Sequence, residues 1–324
     1  MTQKNFLYDL TTLGETMLRL SVPTGTRLQN ARQFDVSAGG AESNVAGALA
    51  QLGWRVGWFS SLPDQPLGHL LVSPMQKVGV DVQVGWKSTG RVGTYFIEFA
   101  APPRTSQVVY DRAESCASQM TIDDVNLEQL LNTRWLHLTG ITPALSSSCQ
   151  ALIHTLFTQA TERGIKRSFD VNYRARLWSP SEARTTCLAL AQNVDLLFCS
   201  LRDAHTVFEI QGTPEHCIEQ LQKITHAKQI VMSMGDQGAV FFDGEKQHHR
   251  PAVKTQIIDR IGAGDALAAG VLHGILSDDS ERALDCGVMM AALALSQHGD
   301  MVTTSRAELD QLIQLQGTSS SVHR

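Results

Sequence analysis

Asp265 stands directly behind Gly262, Ala263 and Gly264 and in front of a run of small apolar residues, up to Leu276, that reads as a helix. A helix N-terminus carries unpaired backbone N–H groups and the positive end of the peptide dipole. Three residues with almost no side chain leave that end bare, so an anion can approach the backbone closely. A carboxylate is a poor ligand for a phosphate there, because it would repel one. It makes chemical sense as a base that takes a proton from a hydroxyl attacking that phosphate. Base and anion hole would then lie side by side, as in-line phosphoryl transfer requires. The same four residues also suit a tight strand-to-helix turn with Asp265 as the helix cap.

Other polar residues sit at similar turning points. Gly39 and Gly40 precede a helical pattern whose first turn holds Glu42 and Asn44. Such a turn offers bare backbone and an amide to a ligand's hydroxyls, or is a plain Gly-Gly turn. Arg112 in "VYDR" and Arg174 in "NYRARLW" carry planar donor forks that match a carboxylate. An arginine after a strand is more often a solvated rim residue. The histidines show no ligand spacing, and His248 and His249 fall in a polar hairpin region expected to face solvent.

Several chemistries are excluded. The chain has no G-x-x-x-x-G-K-[ST] loop and no H-R-D or D-F-G set, and no G-x-G-x-x-G follows its first strand. The balance of 27 lysines and arginines against 32 aspartates and glutamates gives a net charge of −5, which argues against nucleic acid or an anionic membrane as partner. No apolar run approaches the roughly 18 residues of a membrane helix. The N-terminus lacks the layout of a secretory signal, so the six scattered cysteines read as buried free thiols in a reducing cytoplasm.

The elements that must position these residues follow from periodicity. "WLHLTG" (135–140), "IKRSFDVN" (165–172), "VDLLFC" (194–199) and "QIVMSMG" (229–235) read as buried strands. Between them lie helical patterns such as 149–163, with Leu152, Leu156, Phe157 and Ala160 on one face and Gly164 as a stop. In 42–52, Val45, Ala48, Leu49 and Leu52 share a face ahead of Gly53. Such alternation implies an α/β fold: a doubly wound, mainly parallel sheet with helices on both faces. The stretch 92–112 instead alternates with a period of two, and 16–36 is similar, so a small inserted β-sheet is expected from about 15–36 and 90–113, placed as a lid. One domain would span 1–317, followed by a disordered tail at 318–324.

At this point the chain resembles the ribokinase-like sugar kinases, the phosphofructokinase-B type. "AGGAESNVAGALAQLG" (38–53) matches that family's glycine-rich N-terminal signature and "DRIGAGD" (259–265) its C-terminal one, in the right order, with likeness over about 7–315. Within the family, "VGTYFIEFAAPPRTSQVVYDRAESC", "LHLTGITPALS" and "FDVNYRARLW" are most similar to the 2-keto-3-deoxygluconate kinases.

The resemblance implies an ATP- and Mg²⁺-dependent kinase acting on a small sugar acid at its terminal hydroxyl. A kinase of a neutral sugar, of fructose or ribose type, and a non-catalytic sugar-binding protein of the same fold are the alternatives. It implies Asp265 as base, the Gly262-Ala263-Gly264 backbone as anion hole, and Glu15, Gly39, Gly40, Asn44, Tyr95, Arg112 and Arg174 around the sugar, the arginines at its carboxylate. Asn172, Ser200, Ser233, Gly235, Gly238 and His298, beside Gly299, would flank the nucleotide, and copies would associate through the lid sheet. Two departures stand out. "SLRD" (200–203) replaces the family's N-x-x-E, so Asp203 would reach Mg²⁺ only through water, or serve as a first-turn helix charge. "RI" at 260–261 replaces the commoner T-x, a variant also seen in sugar-acid kinases.

Overall fold

A computed structural model describes residues 6–320. The chain opens with β1 (Tyr8–Leu13), leaves it for β2 (Met17–Val22) and β3 (Asp35–Gly39), and continues through α1 (Ala41–Gln51), β4 (Val56–Pro63), α2 (Pro66–Lys77) and β5 (Asp81–Lys87). A second hairpin, β6 (Thr94–Glu98) and β7 (Gln107–Asp111), precedes the short α3 (Leu127–Leu130). Then come β8 (Thr133–Thr139), α4 (Ser147–Glu162), β9 (Lys166–Asp170), α5 (Pro180–Leu190), β10 (Leu196–Ser200), α6 (Leu201–Thr206), α7 (Pro214–Thr225) and β11 (Gln229–Ser233). A hairpin of β12 (Ala239–Phe242) and β13 (Gln247–Arg250) leads to α8 (Ala263–Leu276), α9 (Ser280–Leu295) and α10 (Arg306–Ser320).

Nine strands form one sheet in the order β13-β12-β11-β10-β9-β8-β1-β4-β5, parallel from β11 to β5. β10 is a near-continuous apolar run because both of its faces are covered. In β10, Leu196 and Phe198 enter the core beneath α1, α8 and α9, while Leu197 and Cys199 enter the core beneath α4, α5 and α7. The doubly wound expectation holds, and the helices read at 42–52 and 149–163 are α1 and α4. All six cysteines are buried and free.

The inserted sheet is a separate four-stranded one, ordered β3-β2-β6-β7, with β2 and β6 parallel and the outer pairs antiparallel. Its second strand does not fill the tract read up to 36. Residues 23–34 are mostly loop with a short 3₁₀ turn at Leu28–Asn30, and β3 runs on to Gly39, straight into α1. α10 covers the first three residues of the tail expected to be disordered at 318–324; the last four lie outside the described residues.

α8 and α9 pack closely along a stripe of small residues, Ala266, Gly270 and Gly274, spaced four apart on one helix face. A Cβ on Gly274 would lie 2.4 Å from the Ala283 Cα, and one on Gly270 2.5 Å from the Cys286 carbonyl oxygen. Gly274→Val should therefore force the helices apart and cost about 1–3 kcal/mol, the range for overpacking a filled core. Thermal unfolding should show a midpoint several degrees lower; a midpoint within about one degree of the parent would contradict this close packing.

Candidate active site

Strand ends β1, β8, β9, β10 and β11 open onto a single cleft of about 570 Å³, with β6 and β7 of the small sheet on its other side. It lies beyond the carboxyl ends of parallel strands, where strand order reverses between β1 and β8, the usual ligand position in such sheets.

At the cleft, α8 begins with Gly262 as its N-cap at φ +86°, without any side-chain cap. The Gly262 carbonyl accepts the Ala266 N–H at 2.9 Å and closes the first turn. A Cβ on Gly262 would lie 1.9 Å from the Asp300 carbonyl oxygen, so only glycine fits the turn; a Cβ on Gly264 would meet nothing within 4 Å. The first N–H groups of α8, those of Ala263, Gly264 and Asp265, thus belong to an uncapped helix end that opens on the cleft. Asp265 is the third helical residue, and its carboxylate accepts the Asn44 amide at 2.7 Å rather than a bond from its own helix. The plain-cap reading therefore fails.

Asp265 is one of six acidic groups on the cleft wall, with Glu15, Glu42, Asp170, Asp203 and Asp300. Burial pushes Asp265 up to about 6, with Asp300 adding to the rise, against the pull of Asn44, Arg174 and Asn172. Burial also pushes Glu42 up to about 6, although the hydroxyls of Thr139 and Thr142 donate to its Oε1 at 2.7 and 2.8 Å. Asp170 goes furthest, to about 8, through burial and then the charges of Asp265 and Asp203. Asp203 is raised by burial. At neutral pH, Asp170 holds a proton while Asp265 is mainly ionised, so neighbouring carboxyls divide into acid and base forms.

The residues singled out from sequence fall into three groups. Glu15, Gly39, Gly40, Asn44, Tyr95, Arg112, Asn172, Arg174, Ser200, Asp203, Ser233, Gly262, Gly264 and Asp265 all line the cleft. Some are engaged differently from expectation. Arg112 gives Nε and Nη2 to one oxygen of Glu15 at 2.8 and 2.5 Å, and the Ser115 hydroxyl takes the other at 2.5 Å. Glu15 and Arg112 are thus partners of each other before any ligand arrives. Tyr95 is buried, stacks on Tyr110 at 5.7 Å and donates its hydroxyl to Asp300 at 2.6 Å. Ser200 caps α6 by accepting the Asp203 N–H at 3.0 Å, so the helix-charge reading of Asp203 and its place on the cleft wall both hold.

Arg174 is exposed at the rim, where the cleft meets a second cavity of about 500 Å³ that Arg112 and Arg176 also line. Its charge acts on Asp170, Asp203 and Asp265. The third group, Ala263, Gly235, Gly238 and His298, is not on the cleft wall, Ala263 lying between two glycines that are. Gly235 and Gly238 shape the β11–β12 turn, where a Cβ on Gly238 would lie 2.0 Å from the Arg250 carbonyl oxygen. His298 is exposed and meets Phe99 edge-on at 5.6 Å, outside the cleft.

Sequence reasoning passed over Asp170 and Glu42 as site residues. Asp170 had a signal, an acid at the end of an otherwise buried strand. Glu42 had only its position in a helix first turn, which reads as dipole complementarity. Asp300 and Arg19 had no local signal, because their meaning depends on contacts spanning 281 positions.

Comparison with known proteins agrees with this geometry. Residues 8–307 match the pfkB family of carbohydrate kinases. The chain is 35% identical to a 2-dehydro-3-deoxygalactonokinase of Haloferax volcanii, over 98% of this chain and 99% of the relative. It is 31% identical to a 2-dehydro-3-deoxygluconokinase of Bacillus subtilis, over 90% and 91%. The crystal structure of 2-dehydro-3-deoxygluconokinase from Thermotoga maritima superposes with a TM-score of 0.88 at 32% identity, covering 94% of this chain and 98% of that one.

The carboxyl cluster costs stability in a direction that can be measured. An acid whose folded pKa lies above its unfolded value contributes stability that is full below the unfolded pKa and lost as pH rises toward the folded one. For Asp170 that window runs from 3.8 to about 8. Asp170→Asn should therefore raise the thermal midpoint, by a margin that grows between pH 5 and pH 8. A margin that stays flat or shrinks over that range would contradict burial and crowding as the source of the raised Asp170 pKa.

Proposed function

The chain belongs to the pfkB family of carbohydrate kinases, and from that premise we propose that it transfers the γ-phosphoryl group of ATP to the terminal hydroxyl of a 2-dehydro-3-deoxy sugar acid, 2-keto-3-deoxy-D-gluconate above all. The observation that carries the reaction is the half-buried Asp265, at about 6, beside the uncapped end of α8. Asp265 takes the proton of the sugar hydroxyl as its oxygen bonds to the γ-phosphorus and the bond to the ADP oxygen breaks. The N–H groups of Ala263, Gly264 and Asp265 hold the transferring group, where the open side of Gly264 leaves it room. Closing the small sheet over the sugar excludes water as a competing acceptor.

Among the described residues no three metal-ligating side chains converge. That suits Mg²⁺, which keeps waters and takes few protein carboxylates. Asp203, raised by burial, and Asp170, raised by burial and the charges of Asp265 and Asp203 and so giving up its proton to the ion's field, are the acids that would order its waters. Mg²⁺ supplies charge neutralisation of the donor phosphates when bound.

The sugar-acid reading is supported by the relatives' names and by Arg112, Arg174 and Arg176 around the second cavity. The pairing of Arg112 with Glu15 favours the other reading, a neutral sugar, because one cation is already neutralised. The intact base and helix end argue against a non-catalytic binding protein. The small sheet supports association of two copies: its outward row Val36, Leu20, Phe96 and Val109 is apolar, with Val36 and Val109 52% and 47% exposed. Buried free thiols fit a reducing cytoplasm.

Asp265→Asn should leave fold and ATP affinity intact and lower turnover by about 10²–10⁴-fold, the usual cost of removing a general base. Turnover within a few-fold of the parent would remove Asp265 from the chemistry.

A coupled assay over 2-dehydro-3-deoxy sugar acids of both gluco and galacto type, fructose and ribose tests the substrate. The acid should exceed a neutral analogue by about 10–100-fold in kcat/KM, the value of one charge-assisted pairing. Arg174→Ala should narrow that gap by weakening the acid selectively. Equal kcat/KM for acid and neutral sugar in the parent would favour the neutral-sugar kinase.

A further inference from the structure

Arg19 is among the largest side chains fully enclosed in the protein, at 1% exposure, and it does not line the cleft. It sits on β2 in register with Tyr95 on β6. One terminal nitrogen bonds Asp259 and the other bonds Asp300, both themselves buried. Tyr95 donates to the second oxygen of the same Asp300 at 2.6 Å. Adjacent residues of the small sheet therefore grip one carboxylate from two sides.

Asp259 and Asp300 bracket the Gly262 turn. The free oxygen of Asp259 accepts the Ile261 N–H at 3.0 Å and folds the approach to the glycine. The Asp300 carbonyl occupies the space where a side chain on Gly262 would stand. A cluster of one guanidinium and two carboxylates is a poor way to join two layers, since apolar packing would do so at lower desolvation cost. What it does supply is fixed geometry at a turn whose N–H groups must meet a phosphoryl group to within a fraction of an ångström.

We propose that Arg19 is a positioning residue for phosphoryl transfer: through Asp259 and Asp300 it sets the backbone of the Gly262–Gly264 anion hole, and through its strand partner Tyr95 it couples that backbone to the small sheet. The inference rests on the carbohydrate-kinase activity of the family, not on which sugar is used. Seating a sugar under the sheet and shaping the anion hole then become one event. Without sugar the hole is imperfect, and water, which would give ADP and inorganic phosphate, is a poor acceptor.

The acceptor of the parent enzyme is first fixed with the sugar panel, so a wrong substrate shows before any variant is made. Arg19→Lys keeps the charge but cannot fork across two carboxylates; Arg19→Met removes both. Arg19→Lys is expected to lower kcat at least about 10-fold with KM for ATP and sugar within about 3-fold, because misplacement by an ångström affects the transition state most. Sugar-independent ATP hydrolysis relative to sugar phosphorylation should rise at least about 5-fold, and Arg19→Met should exceed Arg19→Lys in both effects. If Arg19→Met does not fold, Arg19→Lys alone decides. The proposal is overturned if Arg19→Lys keeps kcat within two-fold, if its losses merely track the folded fraction seen by circular dichroism, or if the hydrolysis-to-transfer ratio stays at the parent value.

Discussion

The structure depends on one electrostatic conflict: the cleft, which in the proposed reaction admits phosphates, has Glu42, Asp170, Asp203 and Asp265 on its wall. Burial raises all four, and like charges nearby add to the rise at Glu42, Asp170 and Asp265. The conflict is resolved locally. Asn44 and Asn172 hold Asp265, two threonine hydroxyls hold Glu42, and the Arg174 charge serves three aspartates at once. In the proposed reaction the positive end of α8 is the anion site that these side chains cannot be. The raised pKa of Asp265 follows from its burial, with the charge of Asp300 adding to it, so the feature that strains the cleft is the one the proposed chemistry uses.

Holding that helix end still is the task of the rest of the fold. α8 is locked from one side by α9, along the small-residue stripe that lets the backbones approach. It is approached from the other by α1, which carries Asn44 on the same turn that leaves β3. The parallel strands deliver Glu15, Asp170, Ser200 and Ser233 from successive strand ends, so these polar residues stand on rigid elements rather than on long loops. The small sheet presents an apolar row outward and a row containing Arg19, Tyr95 and Tyr110 inward, a division that follows from strand periodicity alone.

Much of this was legible in the sequence where the signal is local. The strands at 135–140 and 194–199 are continuous apolar runs, and the helices at 42–52 and 149–163 have a 3.6 period with a glycine stop. The proposed base and the glycine turn are contiguous in "DRIGAGD". Signals failed where a residue's meaning is set at long range. Arg112 reads as a free fork for a ligand, yet its partner is Glu15, 97 positions away. His298 lies in a stretch aligned with a nucleotide pocket, but its ring rests against Phe99 of the small sheet. Residues 23–34 carry too little periodicity to mark where β3 begins.

The central claim is that Asp265 acts as an ionised base in a crowded, buried site, and the pH dependence of kcat/KM for the sugar tests it most directly. A carboxylate held at about 6 must lose its proton before it can accept one from the hydroxyl. With ATP saturating, kcat/KM should be level near neutral pH and fall with a slope of one proton as pH drops through about 6, and the residual rate of Asp265→Asn should lack that limb. A parent profile that stays flat down to about pH 5, below the value at which Asp265 is held, would contradict the assignment of Asp265 as the base.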